Sequence, residues 1–170
     1  MISRAYLREL SAHNEWQNDV VLRLCDNIGE EARGEDRGMF FSSIHHTLDH
    51  ILMVDRAILT YLNSETPPPS SYKDMIWPEW VELKAVRREM DASIKAFAES
   101  WELDWLAGEA DVRSPRRPDA RFIPRWILVV QMFNHQTHHR SQVTAEFHRM
   151  GLDYGSTDIP FRPGCGYFVD

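Results

Sequence analysis

The chain has 170 residues, a length that fits a single domain over 1–170 and can bury a core without disulfides or metal. Its formal charge of -7 argues against a nucleic-acid partner, which would need a basic face. Two isolated cysteines form neither a disulfide framework nor a CxxC metal site, so a cytoplasmic location fits best. Because the chain shows no signal peptide and no apolar run of about 18 residues, we expect neither secretion nor a membrane partner.

The sequence of the first half of the chain predicts two helices. Apolar residues at three- and four-residue steps indicate a helix over 2–28, which Gly29 ends. The charged sequence GEEARGEDRG then forms a connector. A second helix is predicted from about Met39 to Asn63, where the sequence SETPPPS stops it, because proline lacks a backbone donor and clashes with the preceding turn.

The second half predicts two further helices and an ordered tail. The third helix is expected to start near Pro78 and to continue to about Leu106. Residues 108–122 are predicted to form a polar connecting segment with room for a short hairpin. A fourth helix follows from about Ile123 to Met150, where Gly151 ends it. We expect the tail to wrap over the bundle. Four amphipathic helices without strand alternation predict an all-α four-helix bundle.

Three histidines lie within FNHQTHHRSQ, residues 133–142. Each helical residue advances about 100°, so His135 and His139 nearly superpose while His138 points toward solvent. An i, i+4 pair can chelate one ion, although such short motifs also arise by accident. In the second helix, His50 projects into an apolar arc, where an unpaired imidazole is costly to desolvate. His50 is thus the third candidate ligand, and a hydrogen-bonded core histidine is the alternative.

Two further predictions concern polar residues away from this triad. His45 and His148, like His138, are expected at the surface. Asp55 falls on the apolar side of the second helix, where we expect an ion pair or a cap contact rather than metal ligation. Arg140 is its candidate partner.

Polar residues also interrupt the apolar stripes of the first and fourth helices. His13, Asn14 and Gln17 fall on the inward stripe of the first helix, where they either line a cavity or hydrogen-bond each other and the backbone. Glu146 lies two turns beyond His139 and could orient a ligand or contact substrate. A solvated glutamate is the alternative for this residue.

Three stretches of the chain form a recognisable pattern: HHTLDHILMVDRAILTYL in the second helix, FNHQTHHRSQVTAEFHRMGLDYGSTDIPF from the fourth helix onward, and HNEWQN in the first. Through these stretches, most of the chain resembles the DinB family of metal-dependent enzymes. This resemblance implies an up-down-down-up bundle and a divalent metal held by His50, His135 and His139, the three residues that helical spacing also selects. The family usually has Gly where this chain has Ser141, a change that leaves the ligand positions in place.

The resemblance also implies the chemistry. Characterised relatives in the wider superfamily include S-transferases and isomerases that use the thiols bacillithiol or mycothiol. Our first hypothesis is therefore a metalloenzyme in which three neutral imidazoles hold Zn²⁺ or Ni²⁺ and a low-molecular-weight thiol acts on a small-molecule substrate. His13 and Asn14 are the candidate cofactor-binding residues, and Gln17 and Glu146 are the candidate catalytic residues.

Two other hypotheses stay open. In metal-assisted hydrolysis, Glu146 would act as general base for a metal-bound hydroxide. In a non-catalytic protein, the metal would be structural or the bundle would be an interaction module. We also expect a homodimer, because the second helix is apolar around most of its circumference.

Overall fold

The computed structural model describes residues 2–68, 70–71, 73–113, 119 and 122–167. The chain folds into four long helices with short elements between the last two. The elements in chain order are α1 (Arg4–Gly34), α2 (Ile44–Leu62), α3 (Trp80–Ser100), α4 (Leu103–Ala107), β1 (Glu109–Asp111), β2 (Phe122–Pro124), α5 (Arg125–Arg149) and a 3-10 turn (Ile159–Phe161). The two strands pair antiparallel, but β2 continues to Pro124, two residues beyond the segment 108–122 in which a short hairpin was expected, and residues 114–118 and 120–121 of that segment lie outside the described part of the chain.

Local sequence explains several of the helix ends. Ser43 begins α2 by accepting a hydrogen bond from the backbone N–H of His46 at 3.1 Å. Gly151 ends α5 in the left-handed region, with φ of 72°. The N–H of Leu152 then bonds to the carbonyl of Phe147 at 2.9 Å, which is the Schellman pattern. The predicted end of the fourth helix is confirmed.

Three predicted boundaries differ from the structure. Gly29, with φ of 81°, interrupts α1, but helix resumes and continues to Gly34. Residues 39–43 form a turn, so α2 begins at Ile44 and not near Met39. The predicted third helix breaks after Ser100, because Trp101 adopts an extended conformation and its carbonyl accepts a hydrogen bond from α1 rather than from its own helix.

Ion pairs along the helices fix the relative direction of α1 and α3. Arg8 near the start of α1 pairs with Glu99 near the end of α3, whereas Asp26 pairs with Lys84 near the start of α3 at 2.7 Å. These two helices are therefore antiparallel.

The other two directions follow from contacts at matching heights. His45 contacts Trp80, and ten residues further along α2 Asp55 pairs with Arg87, so α2 and α3 are parallel. The first halves of α1 and α5 share one apolar cluster and their second halves share another, so these helices are also parallel. The order is up-down-down-up, as predicted.

The core has three layers along the bundle axis. One end is an apolar cluster that includes Leu7, Leu62, Ile94 and Met132, and the other includes Val21, Leu52, Leu83 and Phe147. The middle layer is polar. Its centre is a charged network contributed by all four long helices, consisting of Asn14, Asn18, Asp55, Arg87, Asp91 and Arg140.

Arg87 is the central cation of this network. It donates a hydrogen bond to Asp55 at 2.5 Å and forms an ion pair with Asp91, whose carboxylate oxygen lies 2.8 Å from the guanidinium, and all three side chains are buried. Asp55 therefore forms the ion pair that the sequence predicts, but the predicted partner, Arg140, is wrong. Arg140 lies on α5 and instead donates to the side-chain oxygen of Asn14, which the sequence pattern of α2 alone could not reveal.

The C-terminal tail packs against α1, as predicted. Arg162 donates to both carboxylate oxygens of Glu9, at 2.8 and 3.0 Å. Residues 168–170 lie outside the described part of the chain.

Two statements about partners follow from the described residues. None of their helices combines the length and apolarity that a bilayer crossing requires. Every residue of α2 is buried or partly buried, so packing within the bundle accounts for much of its apolar surface. The expected homodimer stays a prediction, which light scattering at micromolar concentration tests.

Candidate metal centre

The three predicted ligands come together between α2 and α5, beside the charged network. His50, His135 and His139 each offer one ring nitrogen, and these atoms all lie within 4.8 Å of one another. The Nε2 atoms of His50 and His135 are 3.1 Å apart. The rings of His135 and His139, one helical turn apart on α5, have centroids separated by 4.4 Å. We call these three residues the histidine cluster.

The surroundings keep the cluster uncharged. Burial, with a smaller contribution from neighbouring imidazoles, lowers the pKa of His50 to about 3 and that of His135 to about 4. Burial also lowers the pKa of His139. All three imidazoles are therefore neutral near pH 7, the state in which a ring nitrogen can donate its lone pair to a metal.

The hydrogen bonds of the remaining ring nitrogens separate His139 from the other two. Nδ1 of His139 lies 2.9 Å from Oε1 of Gln142, an acceptor, so Nδ1 carries the proton and Nε2 keeps its lone pair. The buried Nδ1 atoms of His50 and His135 have no hydrogen-bond partner among the described residues.

The contact between His50 and His135 has two interpretations. One ring could donate an N–H to the other, or both lone pairs could face one ion. Two imidazole nitrogens on a tetrahedral zinc ion are about 3.4 Å apart, close to the 3.1 Å observed here. The cluster thus fits a divalent metal in the number, type and spacing of its donors.

Phe41 forms one wall of the histidine cluster. Its ring stacks on that of His50, with centroids 3.9 Å apart and planes inclined by 25°. It also meets the ring of His139 edge-on, with centroids 5.4 Å apart. Neither Phe41, which precedes α2, nor Gln142 was among the residues that the sequence predicted for the site.

The predicted polar residues of α1 form hydrogen bonds with the tail and with the charged network. His13 Nε2 lies 2.9 Å from the carbonyl oxygen of Thr157, and Gln17 donates to the carbonyl of Ser156 at 3.1 Å. Asn14 belongs to the charged network. His13 and Gln17 bond to the backbone, as the hydrogen-bonding alternative from the sequence expected, whereas Asn14 bonds to Asp91 and Arg140. The proposed functional roles stay predictions.

Glu146 is buried, with only 5% of its surface exposed, so the solvated alternative is wrong. Its carboxylate accepts a hydrogen bond from Arg149, one turn further along α5. It lies seven residues beyond His139, which corresponds to about 10 Å along a helix axis. Its catalytic role also stays a prediction.

The predictions for the surface histidines are confirmed at two positions and wrong at a third. His138 and His148 are exposed. His45 is buried, and its Nε2 lies 3.1 Å from the carbonyl oxygen of Trp77. The linker between α2 and α3 covers this face, where the carboxylate of Asp49 accepts the backbone N–H of Trp77 at 2.7 Å.

Comparison with known proteins agrees with this architecture. Among solved structures, the chain is similar to a DinB-like protein from Bacillus cereus, with a TM-score of 0.60 and 17% identity over 83% of this chain and 90% of that one. At this identity the likeness shows the fold alone. A comparison with curated proteins gave no significant match. The profile of the DinB family matches residues 1–164, and the chain therefore belongs to the DinB family.

Proposed function

We propose that this protein is a metal-dependent enzyme in which His50, His135 and His139 hold one divalent ion, Zn²⁺ or Ni²⁺. The observation that carries the proposal is the convergence of three neutral imidazoles from two facing helices, with two Nε2 atoms 3.1 Å apart. A structural zinc site is normally closed by four protein ligands, whereas three leave a position for water or substrate. A bound ion would lower the pKa of a thiol or water at that position and supply a nucleophile at neutral pH.

Within this proposal, a low-molecular-weight thiol is the preferred second reactant, and S-transfer or isomerisation of a small molecule is the preferred reaction class. The competing hydrolytic reaction needs a free general base near the metal. Glu146, the candidate base, is already paired with Arg149 and lies about 10 Å further along α5. This position favours the thiol over hydrolysis.

The other candidate residues would act only after exchanging their present partners. His13 and Gln17 would have to release the carbonyl groups of the tail to bind a cofactor or to position a substrate. Asn14 would have to leave the charged network. We retain His13 and Asn14 as cofactor-binding candidates, and Gln17 and Glu146 as catalytic candidates.

The metal site is tested by elemental analysis of protein purified without an affinity tag. We expect one ion per chain in the wild type and in His138→Ala, whose side chain is exposed on the same helix. We expect its loss in His50→Ala, His135→Ala and His139→Ala, which should stay folded. Retention of a full equivalent in all four variants would contradict the site.

The reaction class is tested by thiol-transfer and esterase assays on the same proteins. Thiol-dependent turnover that His50→Ala abolishes would support the preferred reaction. Ester hydrolysis without added thiol would favour the hydrolytic alternative. A metal-loaded protein inactive in both assays would favour the non-catalytic alternative.

A further inference from the structure

The orientation of the His50 ring lacks the usual explanation. A metal-ligating histidine normally donates its second N–H to an acceptor, which fixes the plane of its ring. Gln142 provides that acceptor for His139. His50 Nδ1 is buried and has no hydrogen-bond partner among the described residues, so no hydrogen bond to Nδ1 orients its ring.

Phe41 packs against this ring. Its ring lies face to face with the His50 imidazole, with centroids 3.9 Å apart and planes inclined by 25°. Although only 6% of Phe41 is exposed, it is not among the residues that form the two apolar clusters. Its ring contacts are instead with Phe40 and with His46, His50 and His139. The burial of Phe41 therefore serves the imidazoles more than the core.

A tight turn between α1 and α2 holds Phe41 in this place. The N–H of Ser42 bonds to the carbonyl of Met39 at 2.9 Å. Ser42 has φ of 61°, a backbone conformation that residues other than glycine rarely adopt. Ser43 then caps α2. This turn directs Phe41 inward, whereas the adjacent Phe40 is 77% exposed.

We propose that Phe41 is a positioning residue of the metal centre, which fixes the His50 ring by stacking where a hydrogen bond would otherwise fix it. The proposal rests on the proposed metal site. It also predicts that the strength of the stack depends on the metal, because an imidazole that donates its lone pair to a cation becomes electron-poor. The electron-rich face of a phenyl ring attracts such a group more strongly than a free imidazole, so the stack should favour the metal-bound state.

The test compares Phe41→Leu with Phe147→Leu, a matched change at a fully buried phenylalanine of an apolar cluster. Zinc affinity is measured by competition with a chromophoric chelator, and ligand geometry by the visible absorption of the cobalt-substituted protein. Phe41→Leu should weaken zinc binding about 3- to 10-fold and shift the cobalt bands, because the lost stacking is worth about that much. Phe147→Leu should lower the unfolding temperature but leave affinity and spectrum unchanged.

A third variant, Phe41→Tyr, keeps the aromatic face and should restore both affinity and spectrum. If Phe41→Leu matched the wild type in zinc affinity and in the cobalt spectrum, the positioning role would be overturned, but the proposed metal site would not. An equal loss of affinity in Phe147→Leu would also overturn it, since general loosening of the fold would then explain the effect. A wild-type protein that binds no ion would overturn the metal site, and the positioning role with it.

Discussion

The middle layer of the bundle contains two polar groups of opposite character. In the charged network, Asp55 and Asp91 are buried, and each meets the same guanidinium, that of Arg87. The charges of the network pair with one another, although Asp55 Oδ1 and Arg87 Nε have no hydrogen-bond partner among the described residues. In the histidine cluster, neutral nitrogens face one another, and two buried Nδ1 atoms have no partner among the described residues. Opposite charges that pair with one another hold the helices together, whereas convergent lone pairs leave a place for a cation.

The largest effect should come from removing the central cation of the charged network. Arg87→Met leaves two buried carboxylates without their partner, which should cost about 3–5 kcal/mol of unfolding free energy. Denaturant unfolding in the presence of a chelator measures this cost apart from any bound metal. Arg88→Met, at an exposed position of the same helix, should change the free energy by less than about 0.5 kcal/mol. Equal costs in the two variants would contradict a structural role for the network.

The second effect should come from adding metal. Zinc at about 100 times its dissociation constant should stabilise the wild type by about 2.7 kcal/mol, because the folded state alone offers the assembled site. The increment should vanish in His135→Ala and persist in Arg87→Met under conditions where that variant is folded. A lost increment in Arg87→Met would mean that the two polar groups depend on each other.

A smaller effect should come from the acceptor that orients His139. Gln142→Ala removes the hydrogen bond to Nδ1 and should weaken zinc binding about 10-fold, the lower end for such partners. Gln131→Ala, at an exposed position of α5, is the matched control. Chelator competition measures both, and indistinguishable affinities would show that Gln142 does not set the ring's orientation.

The sequence predicted the features that depend on one helix at a time. The four long helices follow from apolar periodicity, and His135 and His139 share a face because they are one turn apart. Gly151 ends α5 because its left-handed conformation suits glycine. The same angular reasoning could have found Gln142, three residues after His139.

The remaining features depend on which segments meet in space. His45 was expected at the surface because its face of α2 is polar, but the linker to α3 folds over that face and buries it. Asp55 was given the wrong partner because the choice between Arg87 and Arg140 depends on helix packing. Phe41 reaches the cluster only through the turn at Ser42, and no periodicity predicts that turn.

The last and smallest effect separates the two polar groups by their response to pH in metal-free protein. The pKa of His50 is about 3 and that of His135 about 4, both below the value of about 6.5 expected in an unfolded chain. Between these values the unfolded chain binds more protons, so the stability that the cluster contributes is present above about pH 6.5 and is lost as pH falls toward 4. Solvent screening of these partly exposed rings keeps the effect small.

Asp91 should respond in the opposite direction. Burial raises the pKa of Asp91 to about 6, above its usual value of 3.8, so the folded protein binds the extra proton and gains stability as pH falls through this range. Unfolding free energies of metal-free wild type, His135→Leu and Asp91→Asn, measured from about pH 7 to about pH 4.5, test both signs. As pH falls, the unfolding free energy of the wild type should decrease relative to that of His135→Leu. Over the same range, it should increase relative to that of Asp91→Asn. If both differences moved the same way, the histidine cluster and the charged network would not be the electrostatically distinct groups that their geometry indicates.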